Sequence, residues 1–463
     1  MSDDAFEEEL LEEAPAQADL DPEYVSGLKE AIGQSDVDRI RRRLAPLHEA
    51  DIADVLEQLS SGQQERIAEL VPDVLTGDVL AELEPETREG VMEHLDPSHL
   101  AAAIVDLDSD DATEVIEELD ADVRAAVLAE MPDQEREAVE SSLAFDDETA
   151  GRLMQREFVA APDFWTVGHA LDHMRRTEAE LPDKFHDLFV VDAGFRPVGE
   201  IPVCLLLSAQ RDTELTELML TPRIKVAPET DQEEVAYLFQ KYHLVSAPVV
   251  DEAGRLSGML TIDDMVDVIS EENEEDLLAL AGVNEASLAD TVMSATRARA
   301  PWLLLNLATA VLASGFIALF EGSIEQIVAL AVLMPIVASM GGNAGTQSLA
   351  VAVRALAARD LTPANASRVV WRELATGTLN GLLFAVVMAV VTIIWFQSLE
   401  LAGVIALAMV VNLACAGLSG ILIPLGLQRA GADPAVASSV FVTTVTDVIG
   451  FVAFLGLATW VLL

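Results

Sequence analysis

The stretch Asp433–Leu462, DPAVASSVFVTTVTDVIGFVAFLGLATWVL, decides the fold. It is an apolar run long enough to cross a hydrocarbon core, which takes about 20 residues. A carboxylate, Asp447, stands in its middle, 13 residues after Pro434. At about 1.5 Å per helical residue that places it roughly 20 Å into the span. A central Asp costs roughly 2.5–3.5 kcal/mol on insertion scales, so such a residue is a functional candidate by default. Ser439, Thr443, Asp447 and Gly450 follow at spacings of four, four and three, giving one face that is small and polar. That face suits a water-filled path or another helix better than lipid. A structural Asp bonded to neighbouring helices stays open as the alternative.

Outward from this stretch, further apolar runs predict spans near 302–320, 325–352, 373–396 and 401–427, with the last near 436–462. The second is over-long, so it must tilt or break, and Pro335 or Gly341-Gly342 offers the place. Arg297 and Arg299 precede the first span, Arg354, Arg359, Arg368 and Arg372 lie between the second and third, and Arg429 follows the fourth. The breaks at 321–325 and 397–400 carry no Lys or Arg. The positive-inside rule then predicts a multi-pass protein of the cell membrane with its N-terminus in the cytoplasm and Leu463 outside.

The net charge of −52 is segregated: residues 1–300 carry 22 basic and 72 acidic side chains, residues 301–463 only 5 and 7. So acidic a chain excludes nucleic-acid binding, which needs clustered Lys and Arg. The two cysteines, Cys204 and Cys415, exclude a disulfide scaffold. The first residues lack the basic and apolar regions of a signal peptide. In the acidic part a 12-residue period links Leu59, Val71, Leu83, Leu95, Leu107, Leu119 and Met131, and a second register runs Val55, Ile67, Val79, Val91, Ala103, Val115, Val127 and Val139. The registers lie four apart, on one helical face, so the segment reads as a solenoid of very short helices. A duplication follows. Leu153-Met154 and Leu218-Met219 each open a unit that runs to an apolar strand ending in Asp192 or Asp251, then a turn and a glycine strand at Gly199 or Gly258.

The duplicated units resemble a tandem CBS pair, the second copy most clearly through Ala247-Pro-Val-Val-Asp251 and Gly258-Met-Leu-Thr261-Ile-Asp-Asp264. Gly258, Thr261 and Asp264 match the CBS nucleotide motif, which implies ATP at the second unit. The first copy lacks the hydroxyl and the Asp. In the membrane part, Gly341-Gly342-Asn343-Ala-Gly345-Thr-Gln347, Asp433-Pro434-Ala and Thr444-Val-Thr-Asp447-Val-Ile-Gly450 together resemble the MgtE magnesium channels. The resemblance covers about residues 45–463 in matching order. Together with the charge segregation and the repeats, it implies a multidomain protein: an acidic flexible tail (1–22), an all-α short-helix solenoid (23–144), an α+β CBS pair (145–212 and 213–275), a connecting plug helix (276–300) and an α-helical five-span membrane domain (301–463).

It further implies a homodimer in a lipid bilayer, with Mg²⁺ as both substrate and regulator, and no enzyme activity. Asp447 would hold hydrated Mg²⁺ in the pore, with Asp433 at its mouth and Asn343, Gln347, Thr443 and Gly450 along the path. Mg²⁺ suits so sparse a site, because it usually keeps several waters and binds through one or two carboxylates. Asp267, Glu272, Glu275 and Asp276, with Asp110, Asp111 and Glu114 of the solenoid, would sense cytoplasmic Mg²⁺. Asp433 is equally readable as a helix N-cap before Pro434. Two other functions fit the same residues: a divalent cation/H⁺ exchanger that protonates Asp447 each cycle, and a membrane-anchored CBS sensor.

Overall fold

The computed structural model describes residues 22–176, 181–182, 184–222, 224–283, 292–362, 364–435 and 438–463. It divides into two units, Met1–Ile269 and Ser270–Leu463. The acidic tail expected over 1–22 lies, apart from Pro22, outside the described residues.

Among the described residues ten short helices come first in the first unit: α1 (Pro22–Gln34), α2 (Val37–Leu44), α3 (Glu49–Glu57), α4 (Ser61–Leu70), α5 (Gly77–Ala81), α6 (Pro85–Met92), α7 (Pro97–Val105), α8 (Ser109–Glu117), α9 (Ala121–Glu130) and α10 (Asp133–Ser142). Their starts follow local chemistry. Asp36 accepts the Arg39 amide, Thr76 that of Val79, and Ser60 with Gln63 forms a capping box. Pro85 and Pro97 occupy first-turn positions that need no N–H. Both 12-residue registers enter one core, with Leu107 and Ala103 at its partly buried margin. The packing repeat is longer than the sequence repeat. α3 packs on α5, α4 on α6, α7 on α9 and α8 on α10, so alternate helices stack and two repeats, 24 residues, make one structural unit. Buried Arg88 donates to the carbonyls of Ala81 and Leu83, and Arg124 to those of Glu117 and Leu119. Two arginines 36 residues apart thus close helix C-termini in the same way.

The duplicated units are α+β, with helices α11 (Ala150–Leu153), α12 (Val167–Met174), α13 (Val203–Ser208), α14 (Leu215–Leu218) and α15 (Gln232–Tyr242). Strand β1 (Val159–Pro162) pairs in parallel with β2 (Asp187–Val191), which pairs antiparallel with β3 (Pro197–Pro202). In the second copy a parallel bridge, Val226 to Val249, stands for the first strand, and β4 (Ser246–Val250) pairs antiparallel with β5 (Leu256–Thr261). Both hairpins carry a bulge at the same place, and both turns are held by an Asp, Asp192 and Asp251, that accepts the backbone N–H of Arg196 and Arg255. The opening segments cross over. Gln155 bridges to Met259 and Leu220 to Glu200, so the lead-in to each copy joins the sheet of the other. A Cβ on Gly258 would come within 2.9 Å of the Gln155 carbonyl and Met154 sulfur, and one on Gly199 within 2.3 Å of the Met219 sulfur. These glycines are therefore fixed by close packing of the crossed segments.

From the second copy α16 (Ile262–Ala281) runs on into the second unit. The connecting helix expected over 276–300 falls on the end of α16 and the first turns of α17 (Val292–Ala318), and residues 284–291 lie outside the described residues. After the short α18 (Glu321–Gln326) come α19 (Ala329–Ala357), α20 (Ala366–Phe396), α21 (Leu399–Arg429) and α22 (Ser438–Leu462). Helices α17 and α19–α22 are long and apolar enough to cross a membrane. The break considered for the second span does not occur, since α19 runs unbroken through Pro335 and Gly341-Gly342. Pro335 lies in its second turn, where little of the ladder precedes it. The Nδ2 of Asn412 donates to the Val337 carbonyl at 2.8 Å and braces the glycine turn. The run 321–326 forms its own turn, which shortens the second span at its start. α21 is the hub and packs on α19, α20 and α22. Over half of its most apolar stretch is buried (56%), against 6% for that of α17.

Candidate cation path and cation-sensing cluster

In the membrane unit α19 and α22 meet along two rows of four-residue spacing. Gly341, Gly345 and Leu349 are buried on α19, as are Val442, Thr446 and Gly450 on α22. A Cβ on Gly345 would stand 2.5 Å from Val442 Cγ1, so backbone meets side chain there without a spacer. The candidate path residues flank these rows. Asn343 and Gln347 are exposed on α19, and Thr443 and Asp447 are half-buried on α22. Thr443 spends its hydroxyl on the Ser439 carbonyl, 2.8 Å, and Asn343 reaches Ser339 at 3.5 Å. Asp447 makes no hydrogen bond or ion pair among the described residues, so its oxygens are available to a cation or its waters. Gly450 belongs to the packed row. A Cβ there would lie 2.8 Å from Asn412 Nδ2, and its place on the half-exposed stripe is not what constrains it.

Asp433 is exposed and accepts the Ala435 amide at 2.8 Å, a local turn bond five residues ahead of the start of α22 at Ser438. Charge also links it to α16. Burial first, then Asp433 and Glu275, push the Asp276 carboxyl above its ordinary value. The end of α16 is held against the span helices by Ala279 and Leu280, which pack with Leu349, Val353, Ala435 and Val442. Two of the sequence candidates, Asp276 and Asp433, thus lie within each other's field. Glu272 is half-buried and Glu275 exposed on the same helix.

In the first unit the structure gathers Asp110 and Asp111, at the start of α8, with Asp264, at the start of α16. Burial and then the Asp264 charge push Asp111 up to about 7 and Asp110 well above its ordinary value. Asp110 Oδ1 is shut from solvent without a hydrogen-bond partner among the described residues. Asp267 is raised by burial, then Asp263 and Glu114. Glu114 differs from its neighbours, since buried Arg88 already pairs with it at 2.7 Å. Asp264 also accepts the Thr261 hydroxyl at 2.5 Å, so two residues of the nucleotide motif bond to each other. No group of three or more His, Cys, Asp or Glu side chains is arranged as a ready-made metal site among the described residues.

A raised carboxyl pKa has a definite sign. The folded state binds a proton that the unfolded chain has released, so stability falls as pH rises from about 4 to about 7 and the penalty is complete above that window. Asp111→Asn should therefore raise the unfolding midpoint at pH 8 by about 3–8 °C and flatten its pH dependence between about 5 and 7. Calorimetry of the purified chain checks this, and an unchanged pH profile would remove Asp111 from the cluster.

Comparison with known proteins agrees with this layout. The family model for a divalent cation transporter, MgtE, matches residues 334–457, that for the MgtE intracellular N domain matches 47–148, and that for a CBS domain matches 215–271. The magnesium transporter MgtE of Bacillus subtilis is 33% identical over 324 residues, 70% of this chain and 72% of the relative. That of Thermus thermophilus is 31% identical over 445 residues, 95% of this chain and 98% of the relative. A crystal structure of the cytosolic domain of the Mg²⁺ channel MgtE in complex with ATP aligns at a TM-score of 0.49 and 29% identity, over 53% of this chain and 99% of that one. Sharing sequence with the Thermus thermophilus relative over 95% of its length, the chain belongs to the MgtE family of magnesium transporters.

Proposed function

We propose that this multi-pass membrane protein conducts Mg²⁺ across the cell membrane as a homodimeric, Mg²⁺-selective channel that closes as cytoplasmic Mg²⁺ rises. The observation that carries the reading is Asp447, a half-buried mid-span carboxylate without a hydrogen-bond or ion-pair partner among the described residues and set beside the close contact of α19 with α22. Two such carboxylates, one from each subunit of a two-fold dimer, would attract a divalent ion while leaving its waters in place. Asp433 would stand at the mouth, with Asn343, Gln347 and Thr443 addressing the hydration shell. The relatives named magnesium transporters support the choice of cargo.

Regulation follows from the raised carboxyls. Asp276 beside Asp433, and Asp110 and Asp111 beside Asp264, repel one another until a cation intervenes, so the state that brings them together binds more Mg²⁺. By linkage, rising Mg²⁺ then favours that state. Asp267 adds field to Asp264, Glu275 to Asp276, and Glu114, although paired with Arg88, to Asp111 and Asp267, while Glu272 stands one turn before Asp276 on α16. ATP would meet the second CBS unit at Thr261 and Asp264. A carboxylate suits ribose hydroxyls, whereas the phosphates would face Asp110 and Asp111, so ATP should bind as its Mg²⁺ complex. Titrating the purified chain with ATP, with and without Mg²⁺, tests that order.

Purified chain in liposomes loaded with a Mg²⁺-sensitive dye should admit Mg²⁺ at fixed pH without proton movement. Proton flux in step with Mg²⁺ would make it an exchanger, and impermeable liposomes would leave only a membrane-anchored sensor. Orientation rests on the one-sided arginines. In intact cells a tag after Leu463 should be cleaved by external protease and residues 1–300 spared. A single-subunit mass in native detergent would overturn the dimer.

A further inference from the structure

Glu373 is the one acidic residue among the described residues that is almost wholly buried, at 8% exposed, and nothing in the cation path or the sensing clusters uses it. It sits near the start of α20. Its Oε1 accepts from Arg372 Nε and Nη2 at 3.2 and 3.1 Å, and its Oε2 accepts from the Ser348 hydroxyl of α19 at 3.1 Å. Both oxygens are committed, so this carboxylate is not a place for the cargo. What it holds is more telling. Ser348 directly follows Gln347 and lies five residues beyond Asn343.

The contact is built, because α21 is notched to let it form. A Cβ on Gly417 would come within 2.6 Å of the Glu373 carbonyl oxygen, and one on Gly420 within 2.6 Å of Ser348 Cβ and 2.8 Å of the Gly345 carbonyl. Two glycines on the hub helix thus bring α19 and α20 near enough for one carboxylate to join them. Burying a carboxylate is costly unless it is paired and hydrogen-bonded, and here it is both. In a helix the aim of every side chain follows from rotation about the axis, so fixing Ser348 fixes where Asn343 and Gln347 point.

We infer that Glu373 is a positioning residue of the cation path: clamped by Arg372, it anchors Ser348 and so sets the rotation of α19. The inference rests on the reading of α19 and α22 as that path. It is tested by Mg²⁺ flux into proteoliposomes, with maximal flux and half-saturating Mg²⁺ measured separately for Glu373→Ala, Ser348→Ala, the double variant and Glu373→Gln. Each alanine variant should lower maximal flux about tenfold, the scale of one lost hydrogen bond to a charged group, with half-saturation moved less than about twofold. The double variant should be no worse than either single one, because the two residues act through one bond. Glu373→Gln keeps an acceptor for Ser348 and should stay within about threefold of wild type.

Losses that multiply, a Ser348→Ala variant with wild-type flux, or a Gln variant as impaired as the Ala variant would each overturn the inference. Should Glu373→Ala fail to fold, Ser348→Ala and Glu373→Gln decide the matter, with unfolding midpoints in detergent as control. Wild-type liposomes that admit no Mg²⁺ would instead sink the transport reading itself.

Discussion

Asp447→Ala is expected to abolish Mg²⁺ flux while the chain still folds. The substitution removes the mid-span charge from α22 and leaves the buried row Val442, Thr446 and Gly450 untouched. Removing one partner of a desolvated charge contact costs about 2–5 kcal/mol, which at 1.36 kcal/mol per decade is a loss of roughly thirtyfold to several thousandfold. Asp447→Asn separates charge from shape. It keeps a carbonyl in place but should lose flux to nearly the same degree, or lose the preference for divalent over monovalent ions. Dye-detected Mg²⁺ entry beside a monovalent control reads both. Selective flux at the wild-type rate in the Asn variant would remove Asp447 from the path.

The second large effect is expected at the gate. Glu272→Gln, Glu275→Gln and Asp276→Asn together remove the repulsion that a bound Mg²⁺ relieves, so flux should no longer respond to cytoplasmic Mg²⁺. Asp433→Asn alone should lower the field on Asp276, whose carboxyl it helps to raise, and shift the closing concentration several-fold. Ionic strength must be matched throughout, because the Debye length falls from about 10 Å at 0.1 M to about 3 Å at 1 M. If the triple variant closes at the wild-type Mg²⁺ concentration, sensing belongs to other carboxylates, the cluster of Asp110, Asp111 and Asp264 first among them.

Much of this layout is legible in sequence because helical burial is periodic. Val55, Ile67 and Val79 recur every 12 residues, and each is buried where its register requires. The spans are legible for the simpler reason that lipid demands length and apolarity. What escapes is the identity of partners. Met154 and Gly258 are recognisable as features of two separate copies, yet nothing in their spacing says that one packs on the other. Gly450 reads as part of a polar stripe because it lies three residues after Asp447, whereas Asn412 on another helix is what it accommodates. Glu373 escapes for a different reason. Beside Arg372 at the edge of an apolar run it reads as a charge at the membrane surface, and only the notch at Gly417 and Gly420 explains its burial. The gathering of Asp110 and Asp111 with Asp264 is hidden by abundance, since 72 acids in 300 residues offer many equivalent choices.

The stacking of alternate helices in the solenoid constrains how such a chain can change length over evolution. An internal deletion of one 12-residue repeat preserves the apolar register but transfers every later helix to the opposite layer, turning its outward carboxylates to the other side. A deletion of two repeats restores both register and side. Insertions and deletions tolerated in this region should therefore come in pairs of repeats, and the 24-residue deletion should keep a cooperative melting transition that the 12-residue deletion loses. The hydrophobic pattern alone would score the two as equally harmless, so the melting transition of the two deletions separates a single repeat from a stacked pair as the unit of packing.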